Sequence, residues 1–390
     1  MADRAALVAA IQEEFFANDL QPPNEAEKWS AARLRSWFES GGCPDAQTRM
    51  DVMGSNDVHA DLLVAYGIKD CCPVGVTFHT FWRGHLGGKQ LASIKSCYLF
   101  NVAVGSGNKI VLWTDSLEQL RASPVFDEVV KYAQVERFDL HAASIGTPFA
   151  ANDHIPSDIL LRHAPFFADI ARLLILLHHG GVWFDCDVFF LRPFGGLLRA
   201  YPRTFAYGWE RQPYPNNAIL SAASTRDPVI ACCLEYLCAR RRGFGFQLAQ
   251  FLFDAPVPLL VLPCAWFDAT WLDRPPPDFA AFFRDMPNGG SVSLDTFHRG
   301  AFAYHWHNQW NAHEGMRSPF MQLCSQVDAR LAHLRAACAP ARDGQADGGR
   351  GVHVEEMREA KDQGGDGESR RLAERLETLA VVTHVFSGEG

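Results

Sequence analysis

The sequence predicts an α/β fold built from strand–helix–strand units. Two short runs have strand composition, and a helical stretch separates them. Residues 74–82 (VGVTFHTFW) are rich in β-branched and aromatic side chains, which favour strands. Residues 109–115 (KIVLWTD) form a short apolar run typical of a buried parallel strand. With the helical stretch over 91–104 between them, this order makes a βαβ unit.

A second cycle begins with an apolar helix predicted over residues 168–179. Gly180 and Gly181 follow it and mark its end. Residues 182–191 are predicted as one strand with two acids in its middle. Other elements are indicated by glycines and short apolar runs: a loop at Gly84, Gly87 and Gly88, and strands over 216–220 and 259–262.

The chain divides by composition into three parts. Residues 1–74 carry apolar side chains at helical spacing and predict a helical N-terminal extension. Residues 75–337 contain the strand–helix cycles. Residues 338–390 form a charged, glycine-rich tail that we expect to be largely disordered, since its middle offers almost nothing to bury.

The composition is that of a globular protein and excludes several classes. The 390 residues are 48% hydrophobic and 21% charged, which argues against wholesale disorder or a fibrous repeat. A net charge of −9 argues against nucleic acid as the main partner. The apolar runs fall short of the about 18 residues that a membrane-spanning helix needs. Charged residues interrupt the N-terminal stretch, unlike a secretory signal.

These exclusions lead to the expectation of a cytoplasmic protein. The 11 cysteines are then expected to be reduced, and none stands in the CxxC spacing of a zinc ribbon.

Asp185 and Asp187 stand two residues apart within an otherwise apolar run. Burying two carboxylates is unfavourable unless something compensates. Alternate residues of a strand share one face, so at a strand end both acids could address one divalent cation. Hard oxygen ligands suit Mg²⁺ or Mn²⁺, which usually keep water and a substrate phosphate as further ligands. Two solvated acids are the alternative, but the flanking aromatic residues disfavour an exposed strand.

Asp169 and Arg172 lie on the preceding helix, three residues apart and therefore on one face. A surface ion pair of little energetic consequence is one interpretation. Because this helix is apolar nearly all round, the other interpretation is that its few charges face a cleft or each other.

Residues 168–194 (ADIARLLILLHHGGVWFDCDVFFLRPF) resemble the sugar-binding Asp-x-Asp region of a glycosyltransferase superfamily. Its members include yeast initiating mannosyltransferases, α1,4-galactosyltransferases, capsular polysaccharide transferases and the catalytic domains of large clostridial toxins. The family pattern is matched position by position at Asp169, Arg172, Gly180, Gly181, Trp183, Asp185 and Asp187. Trp183 is a mild departure, since the family more often has tyrosine there.

Weaker matches fall in the expected order before and after this region. Trp82 resembles the family aromatic that stacks on the nucleotide base, although a core aromatic is an equal alternative. Asp115 is expected near the nucleotide or, equally, as a helix cap. Asn217 lies in a segment that resembles the lining of the donor-sugar and acceptor pocket.

A late histidine segment, residues 305–310 (HWHNQW), resembles one that closes over the diphosphate in the family. His305 matches by its spacing to Trp310, and His307 is the alternative. An ordinary hydrogen-bonded histidine is the other interpretation of either residue.

The resemblance implies a glycosyltransferase A-type nucleotide-binding fold, with a central mostly parallel sheet, over residues 75–337. It implies a metal-dependent, retaining transfer of a sugar, with UDP-hexose favoured, from a nucleotide donor to a hydroxyl on a glycan or protein. The cofactor is expected to be Mn²⁺ or Mg²⁺. The implied metal ligands are Asp185, Asp187 and His305, and the implied catalytic residues are Asp169, Arg172, Asp185 and Asp187. Donor binding is assigned to Trp82, Asp115, Asp169, Arg172, Trp183, Asp185, Asn217 and His305.

Two other functions of the site compete with this one, and a scaffold role, in which the helical N-terminal extension and the charged tail bind partners, stays open beside them. A sugar-nucleotide-binding pseudoenzyme would keep the site without turnover, but all the motif acids and Arg172 are present. A haloacid-dehalogenase-like phosphatase also places Asp-x-Asp at a strand end. Its motif continues with Thr or Val where this chain has Phe189, so the phosphatase is disfavoured.

Overall fold

The computed structural model describes Cys71 and residues 73–103, 107–151, 164–208, 215–240, 259–262, 264–270, 277–298 and 300–338. The predicted N-terminal extension and charged tail lie almost wholly outside these residues. Met1–Leu331 is one compact unit, and residues 332–338 belong to a second. Among the described residues, no helix combines the length and apolarity that crossing a bilayer requires.

The first elements alternate strands and helices. In chain order they are β1 (Thr77–Phe81), α1 (Gly88–Cys97), a π-helical segment (Tyr98–Val102), β2 (Lys109–Thr114), α2 (Leu117–Arg121), α3 (Phe126–Val129), β3 (Gln134–Arg137), α4 (Leu140–Ser144) and α5 (Ala164–His179).

Shorter strands follow, and a long helix ends the described chain. They are β4 (Gly181–Phe184), β5 (Val188–Phe190), α6 (Gly195–Ala200), β6 (Phe205–Gly208), β7 (Pro215–Asn216), β8 (Ile219–Ala222), α7 (Pro228–Arg240), β9 (Leu260–Leu262), β10 (Ala303–His305) and α8 (Pro319–Cys338).

The central sheet has five strands in the order β3-β2-β1-β4-β8. The pairs β1–β2, β1–β4 and β2–β3 are parallel, and only β8 runs antiparallel to its neighbour β4. A second sheet pairs β10 with β5, and a third has the order β7-β6-β9. The predicted α/β class and mostly parallel sheet are therefore confirmed.

The predicted elements differ from the observed ones mainly at their ends. Helix α1 begins at Gly88 rather than at residue 91, so Gly88 is not in the loop as predicted. The reason is local: the Gln90 side chain accepts a hydrogen bond from the Gly87 backbone N–H at 2.8 Å and caps the helix one turn earlier.

The prediction of one strand over 182–191 is wrong. The chain forms β4, turns at residues 185–187, and continues as β5 in a different sheet. The Val188 N–H donates to the Asp185 carbonyl at 3.0 Å and closes this turn. The two acids therefore lie in a turn between sheets, and the alternation of a regular strand does not decide which way they point. The run 216–220 is likewise broken, into β7 and β8.

Helix α5 lies against β1, β4 and α7 and is buried along most of its length. Ile170, Leu173, Leu174 and Leu176 are completely buried, and each such side chain contributes roughly 1.5–3 kcal/mol. This explains why the sequence shows an apolar helix with no polar face. Its charged pair is buried too, so the second interpretation of that pair is correct.

Gly181 connects α5 to β4 at the point of closest approach to β1. Its φ is +86°, and a Cβ there would lie 2.3 Å from the Thr77 carbonyl oxygen. We expect Gly181→Ala to lower the free energy of unfolding by about 3 kcal/mol or more, because a positive φ and a backbone clash add. Gly146→Ala is the matched control, since its φ is +74° but no atom lies within 4 Å of an added Cβ. We expect it to lower the free energy of unfolding by about 1–2 kcal/mol. If chemical denaturation showed the same loss of stability in both variants, the clash with Thr77 would be contradicted.

Candidate active site

Three side chains predicted to bind the donor stand at one edge of the central sheet. β1, β2 and β4 are parallel neighbours, so their carboxyl ends meet there. Trp82, Asp115 and Asp185 are the residues that directly follow these three strands. Open parallel sheets bind ligands at this edge.

Arg172 joins two of the motif acids at this edge. Its Nη1 donates to Asp169 Oδ1 at 2.9 Å and its Nη2 to Asp185 Oδ1 at 2.5 Å. The arginine side chain is only 3% exposed. Asp185 Oδ1 also accepts from Trp183 Nε1 at 2.7 Å, and Asn217 Nδ2 lies 3.4 Å from Asp169 Oδ1. These residues, here called the Arg172 cluster, thus form one hydrogen-bonded group that includes every charged residue of the motif except Asp187.

One carboxylate oxygen of Asp185 is available to a ligand. Both its side-chain bonds use Oδ1, and within the described residues Oδ2 has no hydrogen-bond donor. Desolvation raises the pKa of the Asp185 carboxyl, Arg172 opposes the rise, and the charge of Asp187 adds to it. The side chain is 29% exposed, so Oδ2 is the part of the cluster that a bound molecule could reach.

Asp187 points into a second cluster, formed with the late histidine segment. Its Oδ2 accepts the Asn308 backbone N–H at 2.7 Å and lies 3.2 Å from His305 Nε2. The pairing of β5 with β10 brings these segments together, and the Trp306 N–H donates to the Asp187 carbonyl at 3.0 Å. Among the predicted metal ligands, the structure therefore brings Asp187 and His305 into direct contact.

Two residues that sequence reasoning missed complete this cluster. Tyr207 Oη lies 2.8 Å from His305 Nδ1 and donates to Asp268 Oδ2 at 3.4 Å. Asp268 is completely buried and lies 2.8 and 2.9 Å from His307 Nε2 through its two oxygens. An acid inside the aromatic run 264–271 (CAWFDATW) is the same kind of signal as Asp185 and could have identified Asp268.

The protonation states of the side chains in this cluster depend on their contacts with one another. Burial favours the neutral form of His305, but Asp187 and Asp268 outweigh it and raise the pKa of the imidazole to about 10. Burial alone would raise the pKa of Asp187, and His305 reverses this so that the pKa is lowered. Asp187 and His305 are therefore an ion pair near neutral pH. The pKa of His307 is instead lowered, because burial dominates.

The side chains here suit a divalent cation. Ligand atoms of Asp268, His305 and His307 all lie within 4.8 Å of one another, and Asp187 Oδ2 adjoins His305. Carboxylate oxygens and imidazole nitrogens are both donors to divalent cations. The set differs from the predicted one, since Asp185 contacts Arg172 while Asp268 and His307 lie beside His305.

The remaining predicted residues lie at the same sheet edge but have partners of their own. Trp82 meets the edge of Trp310, with ring centroids 4.9 Å apart, and donates through Nε1 to the His85 carbonyl at 2.9 Å. The Asp115 carboxylate accepts from Arg83 Nε at 2.9 and 3.1 Å. The residue that caps α2 is Ser116, so Asp115 is not the helix cap.

Residues 93–204 match the family model described as the glycosyltransferase sugar-binding region containing the DXD motif. The matched range contains α5, both motif acids and the Arg172 cluster except Asn217. This stretch of the chain therefore carries a DXD-containing glycosyltransferase sugar-binding region. The histidine cluster and Trp82 lie outside the matched range.

Other comparisons of this chain are more remote. A search of curated sequences gave no significant match. A solved structure called PaToxG glycosyltransferase is 16% identical over 56% of this chain and 78% of that chain, with a TM-score of 0.36. A cysteine-to-serine variant of a transferase is 11% identical over 46% of this chain and 83% of that chain, with a TM-score of 0.31. Likenesses this remote carry no argument about fold or function.

Proposed function

We propose that the protein is a metal-dependent, retaining hexosyltransferase that uses a UDP-hexose donor and a hydroxyl acceptor on a glycan or protein. The observation that carries the proposal is the position of Asp187. This carboxylate lies at the sheet edge between His305 and a backbone N–H, two residues beyond the Asp185 that Arg172 holds. Sugar-binding and diphosphate-binding groups are thereby neighbours.

The Arg172 cluster is the part that would hold the donor sugar. Arg172 orients Asp169 and Asp185 together, and the free Oδ2 of Asp185 can accept a hydrogen bond from a hydroxyl. Fixing acceptors on a buried guanidinium pre-organises them, so little reorganisation is needed when the sugar binds. Asn217 adds a polar group beside Asp169.

Asp187, His305, Asp268 and His307 are the residues that would hold the cation. When bound, the cation would supply positive charge that stabilises the leaving nucleoside diphosphate. Tyr207 orients His305 through its contact with Nδ1, so that Nε2 faces Asp187. Outer partners of this kind fix the ring of a ligating histidine.

Trp82 is the group that would stack on the nucleobase at the end of β1. Retention is proposed from the resemblance to retaining families: the acceptor hydroxyl attacks the face from which the leaving group departs. Its proton passes to a phosphate oxygen of the leaving group, and the bond from the anomeric carbon to that phosphate breaks as the new glycosidic bond forms.

The test is release of nucleoside diphosphate from a panel of UDP- and GDP-sugars, with Mn²⁺ and with chelator. We expect metal-dependent release from one UDP-hexose. Calorimetry with the same panel supplies the second measurement. Donor binding without release, with acceptors supplied, would favour the pseudoenzyme, and failure to bind any sugar nucleotide would reject the proposal.

The affinity for Mn²⁺ should rise with pH, because His305 must lose a proton before its Nε2 can act as a ligand. The pKa of about 10 keeps this proton on the metal-free protein at neutral pH. We expect the dissociation constant to fall by up to about tenfold per pH unit between about pH 6 and 8, with proton release. Calorimetry in buffers of different ionisation enthalpy measures both quantities. His305→Gln should remove the pH dependence; a pH-independent affinity in wild type would contradict this role.

A further inference from the structure

Lys89 lies near the start of α1 with its charged group inside the protein. The residue is only 5% exposed. Its Nζ donates to the carbonyls of Gln309, Trp310 and Ala312 at 2.6, 3.1 and 2.7 Å. An ammonium has three N–H donors, so these carbonyls use all of them.

This placement is costly in two ways. Burial lowers the pKa of Lys89, which shows that the protein interior disfavours the charge. A cation in the first turn also opposes the helix dipole. Within the described part of the chain, Lys89 has no carboxylate as a hydrogen-bond partner, and the charge of Glu314 only partly opposes the lowering of its pKa. The Phe283 ring lies 4.0 Å from Nζ. Something other than the stability of α1 must account for the residue.

The carbonyls that Lys89 binds belong to the turn that shapes the histidine cluster. His307 and Asn308 have φ values of +50° and +57°, a backbone region that residues other than glycine rarely adopt. In this conformation the Asn308 N–H reaches Asp187 and His307 reaches Asp268. Strained backbone of this kind persists only where its surroundings over-determine it.

We propose that Lys89 is a positioning residue that holds residues 307–312 in the conformation the active site requires. Its ammonium ties the far end of the turn to α1, while Asp187 and Asp268 bind the near end. Lys89 does not contact phosphate itself, because its three donors are already used. The catalytic consequence of this role rests on the proposed function, but the structural part does not.

The structural part is tested by amide hydrogen exchange of the ligand-free protein. Lys89→Met removes the three donors and keeps an unbranched side chain. We expect the Asn308 amide to exchange about tenfold faster or more, since the turn loses its charge-assisted bonds, while amides of β1 and β2 are unchanged. Lys95→Met is the matched control: it lies on the same helix and pairs with Asp328, so Asn308 should stay protected. Unchanged protection in the Lys89 variant would overturn the proposal.

Folding of the variants is checked by circular dichroism. If Lys89→Met does not fold, Lys89→Gln serves in its place, because the amide can keep one bond to the turn. Intermediate protection of Asn308 in that variant supports the proposal, and wild-type protection overturns it.

The catalytic part is tested by comparing kcat and KM for the donor. We expect Lys89→Met to raise KM and lower kcat, and Lys89→Arg to recover part of the loss because it keeps a charged donor. Wild-type kinetics in Lys89→Met, together with faster exchange, would show that the turn is held by Lys89 but not needed for transfer. Inactivity of the wild type towards every donor would count against the proposed function and leave the exchange result standing.

Discussion

Asp187→Asn should reduce metal-dependent release of nucleoside diphosphate by about a hundredfold or more. The substitution keeps the shape of the side chain and an oxygen that can accept the Asn308 N–H. It removes the negative charge that His305 faces and that a cation would bind. The loss should therefore appear both in the turnover rate and in Mn²⁺ affinity measured by calorimetry.

A matched surface variant separates this effect from a general loss of charge. Asp295→Asn removes a carboxylate that is 49% exposed and pairs with Arg330 away from the site. We expect it to behave as the wild type. Normal Mn²⁺-dependent rates in Asp187→Asn would reject the metal role of Asp187, even if the protein still bound a sugar nucleotide.

Arg172→Met should impair both stability and donor binding. The arginine is buried and bridges Asp169 and Asp185, so its removal leaves acids without their counter-charge. Breaking a buried ion pair from one side costs about 3–5 kcal/mol, and chemical denaturation measures this loss. We also expect the donor affinity to fall, because Asp169 and Asp185 lose their fixed orientation. Arg172→Lys should recover little, since one ammonium does not reproduce a planar fork.

Arg330→Met is the control for this variant. Arg330 pairs with the exposed Asp295 at 2.8 Å, and such pairs contribute about 1 kcal/mol or less. If Arg172→Met lost no more stability than Arg330→Met, the buried bridge would not be the stabilising interaction that its geometry indicates. A stable Arg172→Met variant with wild-type donor affinity would also show that Arg172 does not contribute to donor binding.

Local features of the site could be predicted because they depend on neighbours in sequence. Asp169 and Arg172 share a helix face at i, i+3 spacing, and Gly180 and Gly181 mark where that helix ends. The apolar character of α5 predicted its burial, and burial of the helix brought its charged pair into the interior. Strands β1 and β2 were likewise recognisable from composition alone.

The partners of Asp187 could not be predicted in the same way. The turn at residues 185–187 exists because β5 leaves the central sheet to pair with β10, and this pairing depends on residues far along the chain. Asp268 and Tyr207 reach His305 from two further segments. Lys89 meets its three carbonyls across more than two hundred residues.

The sequence by itself determined the α/β class, the apolar helix before the Asp-x-Asp motif and the identity of the motif acids, because each follows from residue type and short-range spacing. Only the tertiary structure decided that Asp185 pairs with Arg172 while Asp187 pairs with His305. Two acids that stand two residues apart can bind the same ligand or point to different partners. The outcome depends on which positively charged side chain the fold places beside each acid. In this protein the chain crosses from one sheet to another between them, so each acid lies in a different electrostatic environment.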